Sequence, residues 1–241
     1  MLDAPQNTPE SDPHKLVTAK GRRLAWVEKL CRKNLRLCLR LLPARFIFYL
    51  IYHRNIWQGA ESRSGTGSDL HRTEKLRAIL PGIVRELDAK SFLDIPCGDF
   101  NWMQAVDLGV DLYIGGDILR VIVEHNRRQY ANEWRRFAVL DITSSPLPQV
   151  DIVFCRDLFI HLSNADVLRA LENVKRSQSQ YLITTTFPSQ PHNTDIPTGL
   201  YRAINLERPP FALPPPLQVI AEESFAELPD RSLGIWKISD L

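Results

Sequence analysis

Apolar positions recur along this chain in two different rhythms. Between residues 21 and 42, Leu24, Val27, Cys31, Leu35, Cys38 and Leu42 fall at steps of three and four. Arg22, Lys29, Lys33, Arg36 and Arg40 occupy another face at similar steps. That period predicts an amphipathic helix, which Pro43 breaks and which Ala44–Arg54 resumes. A loop of small residues, Glu61 to Ser68, leads into a further helix over Asp69–Leu87. From Ser91 the rhythm changes. Short apolar runs at Ser91–Ile95, Leu112–Gly116, Arg136–Asp141, Asp151–Cys155 and Gln180–Phe187 alternate with helical stretches at Phe100–Leu108, Leu119–Tyr130 and Asn164–Ser177. Strand–helix alternation of this kind predicts an α/β fold, a Rossmann-like, doubly wound, mostly parallel sheet of about seven strands. Leu217–Glu223 and Leu233–Ile238 would close it as an antiparallel pair. The Pro-rich segment before them, Pro188 to Pro216, is long for a compact domain, and such loops usually serve as lids or binding loops. The chain thus reads as a polar tail (1–20), an N-terminal helical extension with a lid loop (21–68) and one α/β domain (69–241).

Composition narrows this picture. The 241 residues are 44% apolar and 24% charged, which suits a globular domain. A formal net charge of +2 is too small to argue for nucleic acid as a partner. The charge is uneven, however: Gly21 to Arg45 holds eight Lys or Arg and one acid, Glu28. The helix there could pack on the domain with its basic side solvated, or lie on an anionic membrane surface. No run approaches the roughly 18 apolar residues that span a bilayer. The first 20 residues lack the apolar stretch of a signal peptide. The cysteines, Cys31, Cys38, Cys97 and Cys155, form no C-x-x-C pair, so reduced thiols and a cytoplasmic location are expected, membrane-peripheral if the basic helix lies on lipid.

The chemistry gathers at the ends of the strands. The run Phe92-Leu-Asp-Ile-Pro-Cys-Gly-Asp-Phe-Asn-Trp102 ends a strand on Asp94 and turns tightly through Gly98. In a doubly wound sheet, ligands sit at the carboxyl ends of the strands, where the first turn meets a helix start. The second strand ends on Asp117, 23 residues after Asp94, close to the ~20-residue offset of a ribose-binding acid. A third strand ends at Leu140-Asp141-Ile142. Asp94 and Asp117 could also simply cap turns, a role that aspartate often fills. A dinucleotide is disfavoured, since no G-x-G-x-x-G follows the first strand.

This layout, strand-D-x-x-x-G, strand-D, strand-D and a fourth strand with a polar end, resembles the class I S-adenosylmethionine (SAM)-dependent methyltransferases over Ser91 to Phe187. The run around Glu61-Ser62, Ser64-Gly65 and Gly67-Ser68, with Pro96-Cys-Gly-Asp-Phe-Asn-Trp102 and Arg156-Asp157, is similar to a group of bacterial methyltransferases from about Tyr49 onward. The resemblance implies SAM as cofactor. Asp94 would orient its amino end and Gly98 would lie under the methionine moiety. Asp117 would hold the ribose with Ile118 against adenine, Asp141 and Ile142 would hold adenine, and Arg156 and Asp157 would stand beside the methyl donor. The chain departs from the family at the first turn, where three alternating glycines are usual and Pro96, Gly98 and Phe100 stand here. Because proline fixes its own φ, that turn must take another shape.

Methyl transfer is an in-line displacement that chiefly needs alignment, with a base only for a poorly acidic hydroxyl. Asp157 is the candidate to touch the acceptor and His161 the candidate base, although His161 could equally be a hydrogen-bonded histidine at a helix start. No set of further ligands accompanies Asp157, so no metal is expected. Thr184-Thr-Thr-Phe187, Asn193, Thr194, Asp195, Arg202 and Asn205 would suit a small-molecule or glycan-like hydroxylated acceptor, and O-methylation is the leading expectation. A non-catalytic scaffold with this fold, or a methyltransferase acting on protein, are the alternatives. Cys155-Arg-Asp157 replaces the Asn-Pro-Pro-Tyr-type motif that presents a flipped base or planar amide in some relatives.

Overall fold

The computed structural model describes residues 35–222 and 230–241. Its chain divides into a unit ending at Leu41 and a unit from Leu42 to Leu241. In the first, helix α1 (Leu35–Leu41) is the described part of the helix expected over 21–42. The tail 1–20 and the rest of that basic helix lie outside the described residues, while Arg36 and Arg40 on α1 are exposed. No helix among the described residues is long and apolar enough to cross a membrane.

In the second unit, α2 (Ala44–Arg54) matches its expected bounds, and Asn55 in the left-handed region ends it. Helix α3 (Glu74–Glu86) is shorter than the expected Asp69–Leu87, because the chain before it forms short 3-10 turns at Thr66–Ser68 and His71–Thr73. The strands are β1 (Ser91–Asp94), β2 (Leu112–Asp117), β3 (Arg135–Val139), β4 (Ile152–Cys155), β5 (Tyr181–Thr186), β6 (Gln218–Ala221) and β7 (Ser232–Lys237). Helix α4 (Arg120–Tyr130) joins β2 to β3, and α5 (Asn164–Arg176) joins β4 to β5. Ser163 starts α5 by accepting the Asp166 amide on its hydroxyl, a side-chain cap for an otherwise unpaired N–H.

One seven-stranded sheet runs β3-β2-β1-β4-β5-β7-β6. The first five strands are parallel; β7 pairs antiparallel with both β5 and β6. The central strands show why. Phe92 and Leu93 of β1, Ile152 to Cys155 of β4 and Leu182 and Ile183 of β5 are wholly buried, as strands covered on both faces must be. The chain winds from β1 outward to β3 and then crosses to β4. The switch point therefore lies between β1 and β4, where ligands of such sheets bind.

One expected element is absent. After β1 the chain makes no α-helix over Phe100–Leu108, only a 3-10 turn at Met103–Ala105. Gly98 (φ 53°) and Phe100 (φ 63°) are both left-handed, and the Ile95–Pro96 peptide is cis. Two left-handed residues this close together cannot open a right-handed helix. The amides of an N-terminal helix turn, expected to meet a ligand after β1, are thus not available there.

Candidate functional site

A cleft of about 1090 Å³, open mouth included, lies over the carboxyl ends of β1, β2 and β4 and the turn after β3. Asp94, Pro96, Gly98, Asp117, Ile118, Asp141, Ile142, Arg156 and Asp157 all line it. Phe100 and His161 do not line it. Phe100 turns into the core, with ring centroids 5.5 Å from Tyr113, 5.1 Å from Tyr130 and 5.3 Å from Phe137. An aromatic side chain at a left-handed position after a tight turn gains more from that cluster than from a solvent-filled cleft.

The acids at the strand ends are differently held. Asp94 is buried and accepts the Tyr113 hydroxyl at 2.6 Å. Burial pushes its pKa up to about 7, although the Tyr113 hydrogen bond and the Arg156 charge pull the other way. Asp117 accepts the Leu119 amide at 2.8 Å on one oxygen and the Gly98 amide at 3.3 Å on the other. Burial pushes it up to about 6 against those two amides. It therefore caps its own turn and also ties β2 to the turn after β1. Asp141 lies two residues beyond β3 and accepts the Thr143 amide (2.9 Å) and hydroxyl (2.7 Å). Ile118, Leu119, Ile122, Leu140 and Ile142 add apolar wall between these acids.

The loop from Glu61 to Ser68 closes the cleft from the N-terminal side. The Asp99 carboxylate accepts the Ser62 hydroxyl (2.8 Å), the Arg63 amide (2.9 Å) and the Ser64 hydroxyl (3.2 Å). Asn101 donates to the Ser68 carbonyl at 3.0 Å, and Arg156 donates to the Gly67 carbonyl at 3.0 Å. Gly67 permits that approach, since a Cβ there would stand 3.1 Å from an Asp157 carboxylate oxygen. The small residues of this loop are thus contact surfaces, and Arg63, Ser64 and Ser68 line the cleft.

At the β4 end, Arg156 and Asp157 belong to a four-residue ion cluster, buried except for the half-buried Asp157. Arg156 meets Asp157 at 3.2 Å and Glu222 at 2.8 Å; Arg231 meets Asp157 at 3.3 Å and Glu222 at 2.8 Å. Asp157 is left-handed (φ 56°), and its amide donates to the Thr185 hydroxyl at 2.9 Å. Burial alone would raise its pKa, but the Arg156 and Arg231 guanidiniums outweigh that and hold the carboxyl below its usual value. It is consequently ionised and a weak base. His161 places Nδ1 2.9 Å from the Leu200 carbonyl, which can only accept, so Nδ1 carries the proton. Burial lowers the pKa of His161 despite that bond and the Asp157 charge, which leaves the ring neutral at pH 7. The ring stacks on Trp57 at 4.6 Å, away from the cleft.

The polar groups that suggested a polyhydroxylated acceptor are engaged elsewhere. Thr184 donates to the Cys155 carbonyl, Asn193 to the carbonyls of Asn205, Arg208 and Pro209, and Asn205 to those of Pro188 and Gln190. Asp195 accepts the Asn164 amide, and Arg202 donates to the Phe159 carbonyl. No residue of 184–216 lines the cleft. Among the described residues no cluster of three or more His, Cys, Asp or Glu is placed to hold a metal ion. Glu222 and Arg231, which complete the ion cluster, flank β6 and β7 at the far edge of the sheet, and no motif in the sequence ties them to Arg156 and Asp157. Phe48, Tyr52, Trp57 and Trp102 also line the cleft without being expected there.

No protein-family model matches the chain, and no curated protein sequence does. Solved structures do share its fold. Human N-acetylserotonin methyltransferase in complex with SAM superposes with a TM-score of 0.55 at 10% identity, over 81% of this chain and 60% of that one. This chain therefore spans well under two thirds of the human protein's length. The N-methyltransferase NodS from Bradyrhizobium japonicum WM9 with S-adenosylhomocysteine (SAH) gives 0.55 at 11% identity, over 78% and 97% of the two chains. Magnesium protoporphyrin IX methyltransferase from Synechocystis PCC 6803 with SAM gives 0.55 at 13% identity, over 81% and 97%. Strand order, the antiparallel β7 and these superpositions agree: the chain has the fold of the class I SAM-dependent methyltransferases.

Proposed function

We propose that this cleft binds SAM and that the chain transfers its methyl group to an oxygen atom of a small-molecule acceptor. The observation that carries the reading is the convergence of Asp94, Gly98, Asp117 and Asp141 from three successive strand ends on one cleft at the switch point of the sheet. The donor set fits the cofactor. SAM carries two cationic groups, a sulfonium and an ammonium, and the cleft holds two buried carboxyls, Asp94 and Asp117, whose pKa values burial raises, so that a cation brought beside them would favour their charged form. The three structures that share the fold are named methyltransferases, and their ligands are SAM or SAH.

When bound, SAM supplies a methyl group made electrophilic by its positively charged sulfur. The chain's own residues bind and align. Asp117 would accept ribose hydroxyls with the lone pairs its two amides leave open. Ile118, Leu140 and Ile142 would flank the adenine, and Asp141 would face its amino group. Asp94, fixed by Tyr113, would meet the ammonium end, and the turn at Gly98 would carry backbone against the methionine moiety. The loop Glu61–Ser68, held on Asp99, would exclude water above it.

Isothermal titration with SAM, SAH and NAD tests this. Binding of SAM and SAH but not NAD is expected, with Asp117→Ala losing both. At ~100 times its Kd, SAM should stabilise the fold by about 2.7 kcal/mol. Failure of both SAM and SAH to bind at millimolar concentration removes the proposal.

A further inference from the structure

The cleft has two chemically different ends. Toward β2 and β3 it presents Asp117 and Asp141 among aliphatic side chains. Toward β4 it presents rings: Phe48 from α2, Trp57 beyond that helix, and Trp102, with Leu158 and Leu162 beside them. Phe48 and Trp57 pack with centroids 6.2 Å apart, Trp57 is backed by His161, and Trp102 is backed by Phe154 at 6.2 Å. These rings are held in place rather than loosely exposed.

The charged groups at that end are already partnered. Arg156 is engaged by Glu222, Asp157 and the Gly67 carbonyl, and its guanidinium also lies 5.6 Å from the Trp102 ring centre. Asp157 is engaged by Arg156, Arg231 and Thr185. Among the described residues no unpaired general base lines this end, since Asp157 is twice ion-paired and His161 stands behind Trp57. Ring faces and an absent base constrain the acceptor in two ways. Ser68 and Asn101 are the polar side chains beside these rings, and the Asn101 amide is already given to the Ser68 carbonyl, so a polyol would regain few of the hydrogen bonds it loses with its hydration, whereas a flat ring would gain stacking area. An aliphatic alcohol would need a base to be nucleophilic, whereas a phenol-type hydroxyl ionises near pH ~10 in water and needs little help.

Resting on the methyltransferase reading above, we infer that the β4 end of the cleft is an acceptor subsite for a flat aromatic molecule whose ring hydroxyl is the nucleophile. The hydroxyl proton passes to solvent. The resulting oxyanion forms a bond to the methyl carbon as the carbon–sulfur bond breaks and its electron pair stays on sulfur. Anion and sulfonium cation thereby become a neutral aryl methyl ether and neutral SAH.

The test uses 2-naphthol as the probe. First, SAH is titrated into the full chain by calorimetry; then 2-naphthol is titrated into SAH-saturated protein, for wild type, Trp57→Ala and Trp57→Phe. Finally, transfer of labelled methyl from SAM is compared for 2-naphthol, cyclohexanol and methyl glucoside. The expected result is saturable 2-naphthol binding, weakened about tenfold by Trp57→Ala and largely restored by Trp57→Phe, with SAH affinity unchanged. Transfer to 2-naphthol should far exceed transfer to the other two. If SAH does not bind, the cofactor reading falls and this inference with it. If SAH binds but 2-naphthol does not, or ignores Trp57→Ala, the aromatic subsite alone is overturned. Binding without transfer, or equal transfer to methyl glucoside, overturns the ring hydroxyl as nucleophile.

Discussion

The Ser64 hydroxyl accepts the Asp99 backbone N–H at 3.0 Å and fills the space that a side chain on Gly98 would need: a Cβ there would lie 2.3 Å from Ser64 Oγ. The missing side chain at Gly98 is therefore used by the protein's own lid loop. Gly98→Ala faces that contact and a left-handed φ of 53° together. A loss of about 1–3 kcal/mol in urea denaturation is expected. Pairing it with Ser64→Gly should recover the part due to the contact and leave the part due to φ. Equal stability of the single and double variants would show that the contact contributes nothing.

Asp99 is the anchor of the same loop, accepting two hydroxyls and one amide from residues 62–64. Hydrogen bonds to a charged acceptor are each worth about 1.5–3 kcal/mol. Asp99→Ala should raise amide hydrogen exchange across residues 61–68 and weaken SAM binding by roughly tenfold. Exchange in the central strands β1 and β4 should stay as in the wild type. Unchanged exchange in the loop would mean that other contacts hold it.

Cofactor affinity should depend on pH through Asp94 and Asp117. Their folded pKa values of about 7 and about 6 stand above the ordinary 3.8. The folded state thus binds protons more tightly than the unfolded state. Its stability is highest below pH ~4 as far as these groups are concerned and falls as pH rises toward 7. A cationic ligand favours the ionised carboxyls, so SAM binding must expel protons at low pH. Calorimetry should show the SAM Kd tightening from pH 5 to pH 8, most steeply below about pH 6, where both carboxyls must lose a proton, and levelling off above about pH 7. Asp94→Asn should flatten the upper part of that profile. A flat wild-type profile would separate these acids from the cation.

The ion cluster makes a stability prediction of its own. Glu222 is buried and engages both Arg156 and Arg231 at 2.8 Å. Glu222→Ala leaves two buried guanidiniums with Asp157 as their only carboxylate partner in the cluster, and removing one member of such a buried set typically costs about 3–5 kcal/mol. Denaturant titration should show that loss, and Glu222→Gln should recover part of it through its remaining carbonyl. A loss under about 1 kcal/mol would indicate that water reaches the site and solvates the arginines.

Much of the architecture was legible in the residues. The change from helical period to short apolar runs at Ser91 marks the start of the sheet. All seven strands formed within two residues of their expected bounds; the central ones, β1, β4 and β5, are the plainest, because buried strands write continuous apolar runs that need no partner to be recognised. The acids Asp94, Asp117 and Asp141 were visible for a similar reason, as the first two end their strands and the third lies two residues past its own. The helix expected over Phe100–Leu108 failed because its composition is compatible with a helix while the turn feeding it is not. Left-handed backbone at Gly98 and Phe100 follows from how the turn packs on Tyr113 and Phe137.

Patterning along the chain, then, determined the strands, their alternation with helices and the acids placed at their ends, since period and turn chemistry act over a few neighbouring residues. Tertiary structure alone decided that Phe100 faces the core, that residues 62–64 dock on Asp99, that Thr184, Asn193 and Asn205 are engaged by backbone, and that Glu222 and Arg231 confine Arg156 and Asp157. Those contacts join residues tens of positions apart. Their partners are chosen by the path of the folded chain and by the need to pair every buried charge, which no local pattern records.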